Sequence, residues 1–201
     1  MEAFLVSTAL VALAEMGDKT QLLSLVLAAH YRKPWPIVFG VLVATLANHF
    51  LAAAFGGWLT AMLGADRMRV AVGLGFIAMA AWALIPDKPG GELPRARLGV
   101  FAATCVAFFL AEMGDKTQIA TVALAARYAT IVPVVIGTTL GMLLANVPVV
   151  FAGERLARRL PVTLLRRVAA ALFALLGVLH WPAEGYLTTS VPCITGCRRQ
   201  I

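Results

Sequence analysis

The sequence predicts an all-α polytopic membrane protein with six transmembrane helices, arranged as two inverted three-helix repeats. Of the 201 residues, 61% are hydrophobic and only 13% are charged, whereas a typical soluble domain has roughly 25% charged residues. The apolar residues form six long runs, each close to the roughly 20 residues that cross a bilayer core. Residues 13–21 recur without change as residues 110–118. The first two observations give the membrane class, and the third gives the repeat.

The six predicted spans are separated by short connections that contain turn-forming or basic residues. The longest connection has three prolines and two glycines, as expected of a linker between repeats. The predicted organisation is a first repeat at 1–85, a linker at 86–97, a second repeat at 98–181 and a tail at 182–201. The spans cover residues 3–29, 37–63, 70–85, 98–126, 131–152 and 164–181.

The internal similarity extends beyond the nine identical residues. Residues 12–31 and 109–128 match at 13 of 20 positions, and Gly40 corresponds to Gly137. The segment 46–48 corresponds to 144–146 after a slip of one residue. An odd number of spans in each repeat would insert the second copy upside down relative to the first. Many secondary transporters have this plan, with a site near the midplane between the repeats.

The loop charges predict the orientation. Lysine and arginine concentrate on the cytoplasmic side of membrane proteins, and ten of them fall in the first, third and fifth connections, against five on the other face. Both termini are therefore expected to be extracytoplasmic. The net charge of +7 then reflects topology and contact with anionic lipid, and we expect no nucleic-acid partner. The ten residues are Arg32, Lys33, Lys88, Arg95, Arg97, Arg155, Arg158, Arg159, Arg166 and Arg167, and the five are Arg67, Arg69, Arg127, Arg198 and Arg199.

The repeated motif places charged groups in the middle of two apolar spans. Glu15 and Asp18 lie near the centre of the first span, and Glu112 and Asp115 near the centre of the fourth. Each central charge costs roughly 2.5–3.5 kcal/mol on insertion scales. Such a cost must be reduced by pairing, bound ions or water, which makes the motifs a predicted functional site.

The spacing within each motif indicates how the charges could interact. On a helix, Glu15 and Asp18 share one face, and Glu15 precedes Lys19 in the favourable order for an ion pair. Gly17 permits close helix approach or local unwinding, which frees carbonyl oxygens. The second copy repeats this pattern with Glu112, Gly114, Asp115 and Lys116. A purely structural ion pair needs one acid for each lysine, whereas each lysine here has two.

Four carboxylates and two ammonium groups carry a net charge of −2, which one divalent cation would neutralise. Oxygen-rich sites suit Ca²⁺, Mn²⁺ and Mg²⁺, and neither motif contains the cysteine or histidine typical of zinc sites. When the ion leaves, protons can replace it on the carboxylates. Lys19 and Lys116 are predicted to pair with acids. The predicted ligands are Glu15, Asp18, Thr20, Gln21, Asn48, Glu112, Asp115, Thr117, Gln118 and Asn146.

The two asparagines occupy matching positions in the second and fifth spans. A buried asparagine often only joins helices by a hydrogen bond, and recurrence in both halves makes a ligand role equally plausible. His49 follows Asn48, but the matching residue is Val147. A role for His49 in proton transfer and a simple interhelical hydrogen bond both stay open.

The duplicated motif Glu-Met-Gly-Asp-Lys-Thr, in the first and fourth of six spans, resembles the family of human transmembrane protein 165 and its yeast and bacterial relatives. The resemblance covers the chain to about Trp181. It implies transport of Mn²⁺ or Ca²⁺ in exchange for protons, with Glu15, Asp18, Glu112 and Asp115 as ion ligands. The short central loop resembles prokaryotic members, which implies manganese export across a bacterial inner membrane.

Other functions were weighed against this expectation. An exporter of small organic cations or amino acids would need aromatic walls, and Phe108 and Phe109 are the nearest aromatic residues to either motif. An intramembrane enzyme acting on lipid phosphates would need arginine, serine or histidine facing the phosphate, so we expect no enzyme. No permanently bound cofactor is expected, because the metal is the substrate. A homo-oligomer and the role of Cys193 and Cys197 in the tail stay open.

Overall fold

The computed structural model is helical throughout the residues that it describes, which are 1–85, 99–152 and 162–180. The predicted linker and the tail with its two cysteines lie outside them. Two predicted spans are each interrupted at the repeated motif, so six predicted spans correspond to eight helices. These are α1 (Glu2–Glu15), α2 (Lys19–Tyr31), α3 (Pro34–Leu63), α4 (Ala65–Ala83), α5 (Gly99–Glu112), α6 (Lys116–Tyr128), α7 (Ile131–Ala152) and α8 (Val162–His180).

The first and fourth predicted spans are therefore wrong as single helices. The segment 3–29 divides into α1 and α2, and the segment 98–126 divides into α5 and α6. The other four spans agree with α3, α4, α7 and α8 to within a few residues, and the fifth coincides with α7. The described part of the chain is thus all-helical, with apolar helices. The inversion of the second repeat and the domain boundaries stay predictions.

Among the described residues, α3 and α7 are long and apolar enough to cross a membrane. The exposed face of α3 is apolar and aromatic, whereas three polar side chains in the middle of the same helix are buried. This distribution is the reverse of that in a soluble protein and is typical of a helix that faces lipid. The exposed residues include Trp35, Phe39, Phe50, Phe55 and Trp58, and the buried polar residues are Thr45, Asn48 and His49.

The helices of the two halves match in order and packing. Helices α1 and α5 have 14 residues each, and α2 and α6 have 13 each. The most extensive contacts link the halves, because α1 packs along α7, α5 packs along α3, and α4 packs along α8. The rings of Phe76 in α4 and Phe173 in α8 stack with centroids 6.2 Å apart. Each half thus completes its core with helices of the other.

Two matching glycines allow these close contacts. A Cβ atom on Gly137 would lie 2.6 Å from the Phe4 carbonyl oxygen of α1, and one on Gly40 would lie 2.7 Å from Cβ of Thr104 in α5. The residues that they meet also correspond, since Gly40 approaches the Phe101 carbonyl and Phe101 matches Phe4. Real Cβ atoms essentially never come within 3.0 Å of such neighbours. Glycine therefore sets the separation of the helices that carry the motifs.

We expect Gly137→Ala to lower the free energy of unfolding by about 1–3 kcal/mol, because the added methyl group must displace the α1 backbone. Gly75→Ala is the matched control, since a Cβ there meets nothing within 4 Å. In a helix interior that change is expected to be neutral or to stabilise by up to about 1 kcal/mol. Thermal unfolding of the purified proteins in detergent, followed by circular dichroism, compares them. Equal stability of the two variants would contradict the packing argument.

Candidate functional site

Both copies of the motif form a break between two short helices. Helix α1 ends at Glu15, and α2 begins at Lys19 with Asp18 as its N-cap. Between them Gly17 has a φ of +83°, and the matching Gly114 has a φ of +75°. Residues other than glycine rarely adopt this left-handed backbone conformation. The motif glycine was expected to allow either close helix approach or local unwinding. In the structure the helix is locally unwound at Gly17 and at Gly114.

The break separates groups that the sequence placed on one helix face. Glu15 is the last residue of α1 and Asp18 has an extended backbone conformation before α2, with φ −86° and ψ 172°. Asp115 has nearly the same conformation, with φ −82° and ψ 164°. The prediction that each Glu/Asp pair occupies adjacent turns of one helix is therefore wrong. The acids are instead brought together across the interface between the halves.

The lysines form ion pairs across the two motifs. Lys19 Nζ lies 2.9 Å from Asp115 Oδ1, and Lys116 Nζ lies 2.9 Å from Asp18 Oδ1. In each motif the aspartate precedes the lysine, and each lysine pairs with the aspartate of the other motif. Two segments that pass each other in opposite directions pair in this way. The expected pairing of Glu15 with Lys19 within one helical turn is wrong, because the break between the two helices changes their relative direction. Each half supplies the counter-charge of the other.

The structure gathers three carboxylates from the two motifs. Glu15, Glu112 and Asp115 each have an oxygen within 4.8 Å of those of the other two. Their side chains are 0%, 0% and 2% exposed. We name these three residues the acid cluster. Such a group of buried oxygens at mutual distances of this size has the dimensions of a coordination shell for one cation.

The two glutamates are held in the same way by threonines. Thr20 Oγ1 donates a hydrogen bond to Glu15 Oε2 over 2.5 Å, and Thr117 Oγ1 donates one to Glu112 Oε2 over 3.0 Å. The second oxygen, Oε1, of each glutamate is buried without a hydrogen-bond partner among the described residues. A buried carboxylate oxygen without a partner is costly. Both glutamates therefore have one oxygen available for a cation or a proton.

The glutamines were predicted to be ligands, and in the structure their amides support the breaks. The Gly17 N–H donates to Gln21 Oε1 over 2.9 Å, and the Gly114 N–H donates to Gln118 Oε1 over 2.8 Å. Each glutamine therefore holds the turn that separates the two half-helices of its own motif. Each side-chain oxygen accepts this hydrogen bond, and a role of the glutamines as cation ligands stays a prediction.

The matching asparagines have different surroundings. Asn146 Oδ1 accepts a hydrogen bond of 2.7 Å from Ser24 Oγ, and its Nδ2 donates to Met142. Asn48 Nδ2 donates to the Phe109 carbonyl over 3.1 Å, but its Oδ1 is buried without a partner among the described residues. Asn48 therefore keeps an oxygen for a further interaction. The oxygen of Asn146 is already engaged.

His49 is fully buried, and neither ring nitrogen has a hydrogen-bond partner among the described residues. Within the described ranges, His49 thus does not form the interhelical hydrogen bond considered for it. A role for His49 in proton transfer stays a prediction. Ser24 is the participant that sequence reasoning missed, although a signal exists, because the matching residue Thr121 also has a hydroxyl group.

Comparison with known proteins gives a family match in two segments, one in each half of the chain. The family described as Divalent cation/proton antiporter GDT1 matches residues 3–91 and 100–185. A protein of Vibrio cholerae named "Putative manganese exporter" is 51% identical over 89% of this chain and 90% of its own length. A GDT1-like protein of Synechocystis is 27% identical over 90% of this chain and 97% of its own length. No solved structure gives a significant match.

We expect Lys116→Met to destabilise the protein by about 3–5 kcal/mol, because it leaves the buried Asp18 carboxylate without its counter-charge. Lys19→Met is expected to cost less, since Lys19 is 25% exposed and Lys116 only 3%. The double variant Asp18→Asn/Lys116→Met should recover part of the loss. Thermal unfolding in detergent measures all three, and a double variant less stable than Lys116→Met would contradict the pairing.

Proposed function

We propose that this chain, which belongs to the GDT1 family of divalent cation/proton antiporters, exports Mn²⁺ in exchange for protons across a bacterial inner membrane. Membership makes the chain a transporter and not an enzyme, which agrees with the expectation from sequence. The observation that carries the proposal is the acid cluster, in which both motifs contribute carboxylates to one buried group. The name of the Vibrio cholerae relative supports Mn²⁺ over Ca²⁺.

The charges of the two motifs suit a divalent cation. The two lysines each pair with an aspartate of the other half, so those four charges cancel. Glu15 and Glu112 then leave a charge of −2 in a buried environment when both are ionised. One divalent cation offsets this charge, whereas a monovalent cation leaves half of it uncompensated. Pairing and hydrogen bonding are what make buried charges tolerable in a membrane.

The donor atoms suit a hard cation. The oxygens come from carboxylates, and the unpartnered Oδ1 of Asn48 is a candidate further ligand. Mn²⁺ and Ca²⁺ both bind carboxylate and amide oxygens, whereas copper and zinc sites usually contain cysteine or histidine. We assign Glu15, Glu112 and Asp115 as the central ligands. Asp18 stays with Lys116 and holds the two motifs together.

The proton half of the exchange follows from the two glutamates. Without the ion, each can bind one proton on the oxygen that has no partner, while the threonine hydroxyl still contacts the other oxygen. The charge of each aspartate is compensated by its lysine. The cluster then carries either one divalent cation or two protons with the same net charge. This exchange moves no net charge across the membrane.

We expect Glu15→Gln and Asp115→Asn each to reduce Mn²⁺ flux to the level of protein-free liposomes, because each removes an ionised ligand. Glu2→Gln is the matched control, since Glu2 lies at the exposed start of α1 and its carboxylate contacts the Tyr128 hydroxyl. Flux into proteoliposomes with a metal-sensitive dye measures the effect. Retained Mn²⁺ flux in both cluster variants would contradict the assignment of the acid cluster as the ion site.

We also expect transport without net charge movement. A proton gradient imposed on the proteoliposomes should drive Mn²⁺ transport, and a potential imposed with potassium and valinomycin should leave the rate unchanged. The ratio of protons to ions, measured with a pH-sensitive dye, should be two. A rate that rises steeply with the imposed potential would show that the carboxylates do not exchange the ion for two protons.

A further inference from the structure

The two halves make different hydrogen bonds at matching positions. We call one set the α2 latch, formed by residues of α2 and α7, and the matching set the α6 latch, formed by residues of α6 and α3. Three of the four positions are identical, and the fourth has a hydroxyl group in both, as Ser24 and Thr121, so an exactly symmetric protein would form both. The α2 latch consists of Gln21, Ser24, Ala145 and Asn146, and the α6 latch of Gln118, Thr121, Ala47 and Asn48.

The α2 latch is closed. Gln21 Nε2 donates a hydrogen bond of 3.0 Å to the Ala145 carbonyl, and Ser24 Oγ donates one of 2.7 Å to Asn146 Oδ1. All four residues are buried. The half-helix after the first break is thus joined to α7 by two bonds, one on each of two successive turns.

The α6 latch is open. Thr121 Oγ1 donates to the Thr117 carbonyl of its own helix over 2.8 Å, and Asn48 Oδ1 is buried without a partner among the described residues. No hydrogen bond joins Gln118 to Ala47 within the described part of the chain. Ala47 is exposed, whereas Ala145 is 2% exposed. The side-chain oxygen of Asn146 thus accepts a hydrogen bond, whereas the matching oxygen of Asn48 accepts none within the described residues.

The outer helices show the same asymmetry. Helix α4 packs against α6, and α8 packs against α1. The matching contacts, of α8 with α2 and of α4 with α5, are not comparable in extent over the described ranges. The α4–α8 pair therefore packs mainly against α6 and α1. Two independent observations thus distinguish halves whose motifs have the same sequence.

We propose that the two latches are a gate whose halves exchange roles: as access to the acid cluster passes from one side of the membrane to the other, the α2 latch opens and the α6 latch closes. In the alternative state Thr121 Oγ1 donates to Asn48 Oδ1, and Gln118 Nε2 donates to the Ala47 carbonyl. The inference rests on the proposed transport function and extends it to the residues that switch access. Because each state has one closed latch, neither state is strongly preferred, as repeated switching requires.

The test uses a reporter for the alternative state in the full-length protein. Cysteines at Ala47 and Gln118, with Cys105, Cys193 and Cys197 replaced by alanine, should form a disulfide under mild oxidation, although the structure shows their latch open. The cysteine at 118 removes the glutamine donor, so the reporter follows closure by the remaining bond from Thr121 to Asn48. Cysteines at Gln21 and Ala145 are the positive control for the closed latch. Disulfides need Cα atoms within about 7 Å, so their formation reports closure.

Two substitutions should shift the reporter in opposite directions. Ser24→Ala weakens the closed latch and should raise the initial rate of the 47–118 cross-link about threefold, whereas Thr121→Val should lower it about threefold, given the typical strength of such bonds in membranes. Ser7→Ala is the matched control, because Ser7 Oγ is buried without a hydrogen-bond partner among the described residues. It should leave the rate unchanged.

The outcomes separate the gate from the function. A 47–118 pair that never cross-links, or a rate that does not respond to Ser24→Ala and Thr121→Val, overturns the gate even when the native protein transports Mn²⁺. Absence of Mn²⁺ flux in the native protein overturns the proposed function. The cross-linking rates need no transport measurement, and opposite responses would still support the gate in that case.

Discussion

The crossed ion pairs between the motifs are the interaction on which the rest of the structure depends. Lys19 and Lys116 are each compensated by an aspartate of the opposite half, so neither motif is balanced alone. The close contacts at Gly40 and Gly137 bring the half-helices near enough for these pairs to form. The glycines at the breaks turn the chain so that the aspartates cap α2 and α6 and face the other motif. Packing, backbone conformation and charge thus serve one arrangement.

This arrangement separates two tasks among four acids of similar chemistry. The aspartates are tied to lysines, and they keep the two motifs in register. The glutamates are hydrogen-bonded by threonines on one oxygen, and their other oxygen has no partner among the described residues. Asp115 takes part in both tasks, since it pairs with Lys19 and also belongs to the acid cluster. In the proposed function, a cation at the acid cluster would contact the same residue that joins the halves, and its binding would be coupled to their relative position.

Much of this was predictable from the sequence, for physical reasons. A nine-residue identity marks the repeat, and six apolar runs mark the helices, since both signals are local. One site between the two repeats was expected from the inverted-repeat plan, and the structure gathers three of the four predicted acids. The break was only one of two expected roles for Gly17, since glycine serves either tight packing or a turn. The partner of each lysine was missed, because i, i+4 spacing favours Glu15 only while the helix continues.

The differences between the halves were not predictable from the sequence. Asn48 and Asn146 match, yet only one has its oxygen engaged, because the two halves occupy different conformations in one molecule. A repeat in sequence specifies which contacts are available to each half. It does not specify which half forms them. Ser24 was missed for this reason, since its hydroxyl is visible in the sequence and its partner on α7 is not.

The crossed pairs also have a consequence for the origin of such a fold. An interface in which residue 18 meets residue 116 and residue 19 meets residue 115 is isologous, since each side presents the same donors and acceptors to the other. Two separate copies of a single ancestral half would make the same pairs as a homodimer. Within one chain, the two halves can differ in sequence at other positions and still form these pairs. His49, which corresponds to Val147, is a position where the two halves differ.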